Sequence, residues 1–198
     1  MYFITATNTN VGKTTASEFF LNQFSKENKK VGYFKPIETG VKHMPEDGNK
    51  MLMLAQKLNP NFTVKINDVV LFQFSLPASP FVASGGEYID ISIIKEKINY
   101  LLLFCDVLII EGAGGLMVPI NKDYFMIDLI KELNPTNTFL IVPSYLGSIN
   151  DTLLSINALK SYGIKHDWYI NLYRDIEDFK TITLPFYKAY FDRLHFLN

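Results

Sequence analysis

Short runs of β-branched and aromatic residues recur along the chain, with longer amphipathic stretches between them. That alternation predicts a parallel sheet with helices on both faces. The runs at residues 2–6, 31–37, 107–111, 138–143 and 167–172 read as strands. Between them, Thr14 to Phe24 and Ile91 to Phe104 carry apolar residues at helical spacing, and Ser148 to Tyr162 does the same after a glycine. These are the expected crossover helices. The polar stretch Val41 to Asn49, with Pro45 and Gly48, reads as a surface loop. Aromatic residues at helical spacing from Phe186 to Leu197 predict a face that packs on the core or on a second copy of the chain.

Composition narrows the classes of partner. The 198 residues are 48% hydrophobic and 20% charged, which suits one compact domain over residues 1–198 with a core of its own. A formal net charge of −1 argues against broad binding to nucleic acid or to a membrane, and for a small-molecule partner. The lone Cys105 lies in the apolar run Leu101 to Ile110, where a free thiol packs as a small hydrophobe and implies a reducing compartment. The opening residues Met1 to Thr5 lack a signal-peptide pattern, and no run approaches the ~20 apolar residues of a bilayer span. A cytoplasmic location is expected. His43, His166 and His195 are scattered without metal-ligand spacing.

Candidate chemistry begins where the first strand runs into Thr7-Asn8-Thr9-Asn10-Val11-Gly12-Lys13-Thr14-Thr15 and then a helix. In that context a Gly-Lys-Thr reads as phosphate binding. Backbone N–H groups over Asn10, Val11, Gly12, Lys13, Thr14 and Thr15 can face phosphate oxygens. Gly12 permits close approach, Lys13 reaches the β- and γ-phosphates, and the Thr14 hydroxyl can hold Mg²⁺. The strict pattern has Gly where this chain has Thr7, so the loop is a deviant one; the bland alternative is a chance Gly-Lys-Thr opening an ordinary helix. Downstream, Asp106 to Ile110 forms an apolar strand that ends in Glu111, followed by Gly112-Ala113-Gly114-Gly115. A carboxylate there can help to hold Mg²⁺, or can simply cap the next turn.

Four segments in order, Thr7 to Thr14, Lys35-Pro36-Ile37-Glu38-Thr39-Gly40, Glu111 to Gly115 and Leu146-Gly147-Ser148-Ile149-Asn150, resemble dethiobiotin synthetase over residues 2 to about 172. The Lys-Pro-x-x-Thr-Gly segment is the discriminating one. The resemblance implies a P-loop NTPase-type three-layer α/β sandwich and a homodimer that binds ATP, Mg²⁺ and 7,8-diaminononanoate. It implies closure of a ureido ring with carbon dioxide. Carried over by position, Lys35 is the catalytic residue, Thr39 a substrate contact, and Gly147, Ser148 and Asn150 receive the substrate carboxylate across the dimer interface. Thr14, Glu111 and Asp47 hold the metal, and Gly112, Ala113, Gly114 and Asn171 join the nucleotide site. Unaided, the residues at 146–150 equally suit plain helix capping by Ser148 or Asn150. Leu76-Pro77-Ala78-Ser79-Pro80 matches a loop beside the substrate amines.

The chain departs from the family pattern in three places. Asp47 comes earlier than the family's metal-binding Asp, Leu172 follows Asn171 where an Asp is usual, and only Leu184-Pro185-Phe186 aligns with the base-enclosing loop. The first bears on the metal role of Asp47, and the other two imply weak recognition of the nucleobase. The competing class is a nucleotide-switched regulatory ATPase of the partitioning or septum-positioning type. Those proteins place a signature Lys five residues before the loop Lys, where this chain has Asn8. An amidase with the same nucleotide module would need a reactive Cys, which Cys105 in a strand region does not offer.

Overall fold

The computed structural model describes residues 1–197. Strand β1 (Tyr2–Ala6) leads into helix α1 (Lys13–Lys26), β2 (Val31–Phe34), β3 (Ile37–Thr39), α2 (Glu46–Leu58), the single turn α3 (Ile66–Val69) and β4 (Phe72–Phe74). Next come α4 (Pro80–Ala83), α5 (Ile91–Leu101), β5 (Val107–Gly115) and the small ribbon β6 (Pro119–Asn121) and β7 (Tyr124–Phe125). The chain continues through α6 (Met126–Leu133), β8 (Asn137–Pro143), α7 (Ser148–Ser161) and β9 (His166–Asn171). It closes on α8 (Ile176–Asp178), a π-helical turn at Phe179–Thr183, and α9 (Leu184–Tyr190).

Five strands in the order β2-β5-β1-β8-β9 make the central sheet, and every neighbouring pair is parallel. From β1 the chain crosses one way to β2, and from β8 it crosses the other way to β9. Right-handed crossovers in opposite directions place helices on opposite faces. Side-chain contacts agree: Phe139 and Tyr169 meet Phe20 of α1, whereas Trp168, the residue before Tyr169 on β9, meets Tyr187 of α9 and Phe191. Alternate residues of one strand therefore serve two cores. Among the described residues no helix is long and apolar enough to cross a membrane.

The structure corrects several boundaries. The strand expected over 31–37 breaks after Phe34. Pro36 has no N–H to give a ladder, and the Lys35 N–H turns to the Val69 carbonyl at 2.9 Å. β3 then pairs with β4 in a separate two-stranded sheet. The loop expected over Val41 to Asn49 ends early, because α2 starts at Glu46 and buries Gly48, Met51, Leu52 and Ala55 at helical spacing. The glycines after Glu111 belong to β5 rather than to a turn, with Gly114 at a φ of 67° where the pairing with β1 shifts register. α5 stops at Leu101, short of Phe104. Beyond Tyr190 the helical reading of 186–197 fails: Phe196 instead bridges Ile170, whose N–H donates to His195 and whose carbonyl accepts from Leu197. The C-terminal segment thus covers part of the outer edge of β9. Its expected packing on the core holds, since Tyr187 and Leu197 are buried.

Phe20 stacks on Phe139 with centroids 4.0 Å apart and meets Tyr169 edge-on at 5.1 Å, so it joins α1 to two strands. Phe20→Ala is expected to cost about 3–5 kcal/mol. Denaturant unfolding of the variant measures this, and a loss under about 1 kcal/mol would show that the cluster does not anchor α1.

Candidate functional site

β1 delivers the chain to the carboxyl edge of the sheet, where open parallel sheets bind ligands. The loop from Thr7 to Gly12 is held open by two residues with positive φ, Asn10 at 58° and Gly12 at 106°. Asparagine tolerates this region; at position 12 only glycine fits, because a Cβ there would stand 2.1 Å from Asn171 Nδ2. That same amide nitrogen donates to the Val11 carbonyl at 2.8 Å, so β9 clamps the loop. α1 then begins at Lys13 with no side-chain cap, leaving its first N–H groups for a ligand. Lys13 folds back to the Asn8 carbonyl at 3.3 Å. Burial lowers its ammonium to about 8, with Glu111 opposing and Lys35 adding to the shift.

Glu111 is the centre of the site. It is 1% exposed, and four donors meet it. Thr14 Oγ1 and Lys35 Nζ donate to Oε1 at 3.1 and 2.9 Å, while Ser17 Oγ and Tyr33 OH donate to Oε2 at 2.6 and 3.0 Å. Burial and the adjacent Glu111 carboxylate push the Tyr33 phenol well above its usual value, so it stays a donor. Lys35 lies at the carboxyl end of β2 and also bonds Asp47 Oδ2 at 2.6 Å. Burial would lower its ammonium, yet Glu111 and Asp47 together raise it, and it remains a cation. Asp47 stands on the first turn of α2 with a half-exposed side chain.

Lys13, Thr14, Lys35, Asp47 and Glu111 line a cleft of about 880 Å³ that runs from Thr9 and Asn10 past Glu38 to Thr39. Gly112, Ala113 and Gly114 form one wall and residues 77–80 another. Of the residues expected to act together, Asn10, Gly12, Lys13, Thr14, Lys35, Thr39, Asp47 and Glu111 meet here. Val11 and Asn171 are buried behind the loop, and Thr15 faces outward. Gly147 and Asn150 are exposed at the start of α7, outside the cleft lining. The capping alternative there is overturned: Gly147 is the N-cap, in the left-handed region, and no side chain caps the helix. Ser148 is fully buried and its hydroxyl accepts from Tyr187 at 3.4 Å, so it does not face outward with its neighbours.

Three members of the cluster had not been expected from the sequence. Ser17 follows Thr14 by one helical turn, which puts both hydroxyls on one face. Tyr33 precedes Lys35 by two residues, the spacing that keeps strand side chains on one side. Glu38 had no such local signal, since its partners lie in α2.

The oxygens of Thr14, Asp47 and Glu111 are hard donors, and Lys35 between the two carboxylates shows that a cation suits the space between them. Among the described residues no group of three or more acidic, His or Cys side chains forms a self-sufficient metal cage. Mg²⁺ takes one or two carboxylates and completes its shell with waters and substrate phosphates, and the hard oxygens of Thr14, Asp47 and Glu111 suit that chemistry. The residues present therefore fit Mg²⁺.

A parallel sheet carrying a phosphate loop after its first strand, opposite a carboxylate on a neighbouring strand, defines a P-loop nucleotide-binding protein. Residues 1–167 match the profile of a family defined as an AAA domain. Solved structures of like fold include a plasmid partition protein from Borrelia burgdorferi, with a TM-score of 0.59 and 12% identity over 98% of this chain and 87% of that one. The MinD cell division protein of Aquifex aeolicus has a TM-score of 0.53 and 17% identity over 91% and 72%. At such identities the likeness shows the fold alone. Sequence relatives are more specific. The ATP-dependent dethiobiotin synthetase of Sulfurovum sp. strain NBC37-1 is 51% identical, covering 96% of this chain and 90% of its own. Those of Wolinella succinogenes and Methanocaldococcus jannaschii are 36% and 39% identical, covering 99% and 83% of this chain and 92% and 75% of theirs. The chain belongs to the dethiobiotin synthetase family.

Gly12→Ala is expected to weaken nucleotide binding at least about tenfold, or roughly 1.4 kcal/mol, since the methyl group needs a strained φ and displaces Asn171. Calorimetric titration with a triphosphate checks this, with circular dichroism confirming the fold. Unaltered affinity would mean that the loop relaxes without Asn171.

Proposed function

We propose that the chain uses ATP and carbon dioxide to close a cyclic urea on 7,8-diaminononanoate, giving dethiobiotin, ADP and phosphate in the cytoplasm. The observation that carries the reading is Lys35, a buried ammonium held between Asp47 and Glu111 and open to the same cleft as the phosphate loop. One amine of the substrate adds to carbon dioxide and loses a proton, forming a carbamate. A carbamate oxygen attacks the γ-phosphorus and ADP leaves. The second amine then attacks the carbonyl carbon of this mixed anhydride, phosphate departs, and the ring closes with loss of a proton.

This sequence of steps asks the protein for placement and charge rather than for a nucleophile. Lys13 and the open N–H groups at the start of α1 bind the β- and γ-phosphates. Lys35 holds the carbamate against the γ-phosphate. The Thr39 hydroxyl, on the cleft wall beside residues 77–80, contacts the substrate near its amines. Thr14, Asp47 and Glu111 would hold Mg²⁺, which when bound neutralises charge on the phosphates. Asn171 lies behind the loop where the base of the nucleotide is to be read. Its NH₂ group is already engaged by Val11, so only part of its amide is left for that task.

The exposed start of α7, Gly147 and Asn150, lies apart from the chain's own cleft. Free N–H groups and the positive end of a helix dipole suit a carboxylate. We assign them to the substrate of the partner subunit in a homodimer, with Ser148 contributing through the helix it anchors rather than through its hydroxyl.

Lys35→Gln is expected to lower kcat by about 10²–10³, with nucleotide affinity nearly unchanged. A coupled assay containing ATP, diaminononanoate and bicarbonate reads the first, and titration reads the second. ATP turnover that ignores the diamine and bicarbonate would overturn the assigned reaction. The active species should sediment as a dimer at assay concentration; an active monomer would remove α7 from the substrate site.

A further inference from the structure

Glu38 sits in the middle of β3, inside the Lys-Pro-x-x-Thr-Gly segment, and has no part in the scheme above. It is 7% exposed, and its carboxylate reaches across to α2 rather than into solvent. Oε1 accepts the Asp47 N–H at 3.2 Å and Oε2 accepts the Gly48 N–H at 2.9 Å. Helix α2 needs such acceptors, because its N-cap is Pro45, which offers no side-chain cap. A carboxylate at a helix N-terminus also meets the favourable end of the helix dipole.

The close approach depends on Gly48. A Cβ there would stand 2.2 Å from Val70 Cγ2 and 3.2 Å from Glu38 Oε2. The turn is therefore wedged between Val70 and Glu38. From that turn the Asp47 side chain extends to Lys35 at 2.6 Å. Its carboxylate is 49% exposed, so packing does little to hold it. Its position rests on the Lys35 ion pair and on its backbone.

We propose that Glu38 is a positioning residue that caps α2 from a distant strand and so holds Asp47 at the mouth of the metal and phosphate site. This rests on the reading of Asp47 as a Mg²⁺ ligand given above. Partners that orient a metal-binding carboxylate through its own element typically matter about 10–100-fold in metal affinity or activity.

Glu38→Ala and Glu38→Gln, alone and combined with Asp47→Asn, would be compared in two measurements. In the nucleotide-free protein, hydrogen exchange over residues 44–52 should speed up in Glu38→Ala and less in Glu38→Gln, which keeps one acceptor oxygen. In steady-state kinetics, Glu38→Ala should raise the half-saturating Mg²⁺ concentration about tenfold, with kcat largely restored at high Mg²⁺. It should have no further effect on top of Asp47→Asn, as expected of residues that act as one unit. Unchanged exchange would overturn the cap. Effects that multiply with Asp47→Asn and appear in KM for the diamine would mean that Glu38 touches substrate directly. Asp47→Asn that leaves the Mg²⁺ requirement unaltered would remove the metal role of Asp47 while the exchange result still decides the cap.

Discussion

A carboxylate with almost no contact with water is tolerable only if its charge is met on every side, and Glu111 sets that condition for the rest of the site. Its four donors come from two elements and the strand end between them. Thr14 and Ser17 lie on α1, Tyr33 on β2, and Lys35 just past β2. β5 is hydrogen-bonded to both β1 and β2, so the network fastens the phosphate loop's helix and the buried Lys35 to one central strand. Removing one partner of a buried pair of this kind typically costs about 3–5 kcal/mol. Order at the site and order in the sheet are thus one property here.

Lys35 gains its position from a break in regular structure. Pro36 cannot continue the ladder that β2 begins, so the chain leaves the main sheet at that point and pairs again as β3 with β4. The lysine is left at the strand end, with its N–H used by Val69 and its ammonium directed to Glu111 and Asp47. β3 meanwhile brings Thr39 to the cleft wall and turns Glu38 toward α2. One departure from the strand therefore supplies the cation, a hydroxyl on the cleft wall and the carboxylate that accepts from the Asp47 and Gly48 N–H groups.

The sequence made the sheet legible because its five strands are buried and dense in apolar residues, a local signal. Gly12-Lys13-Thr14 and Glu111 were legible for a similar reason, each lying where a strand hands over to a loop or a glycine run. Two of the misread features depended on distant contacts. α2 hid behind Pro45 and Gly48, residues that usually punctuate loops, because the acceptors for its first turn come from Glu38 and the space for Gly48 is set by Val70. Ser148 looked like a cap by its position, whereas Tyr187, far along the chain, draws its hydroxyl inward. Periodicity sees neither effect.

The chain's one cysteine does not line the cleft. Cys105 is buried near the opposite edge from the loop, its thiol donating to the Leu101 carbonyl, and burial pushes its pKa up to about 12. None of the three histidines lines the cleft. Its lining combines charged and hydroxyl side chains with apolar ones such as Ile37, Val41 and Val118, and Glu111 ties α1, β2 and Lys35 together behind it. In the proposed reaction such a site gains little from moving and much from holding phosphate, carbamate and cation at set distances, because a phosphoryl transfer distributes its charge over oxygens that the protein must meet in place. The same scaffold in a cell division protein and a plasmid partition protein shows that the fold does not choose this outcome. In this chain a strand break and a remotely capped helix in the segment from Lys35 to Asp47 put one ammonium between two carboxylates, the feature on which the proposed reaction rests.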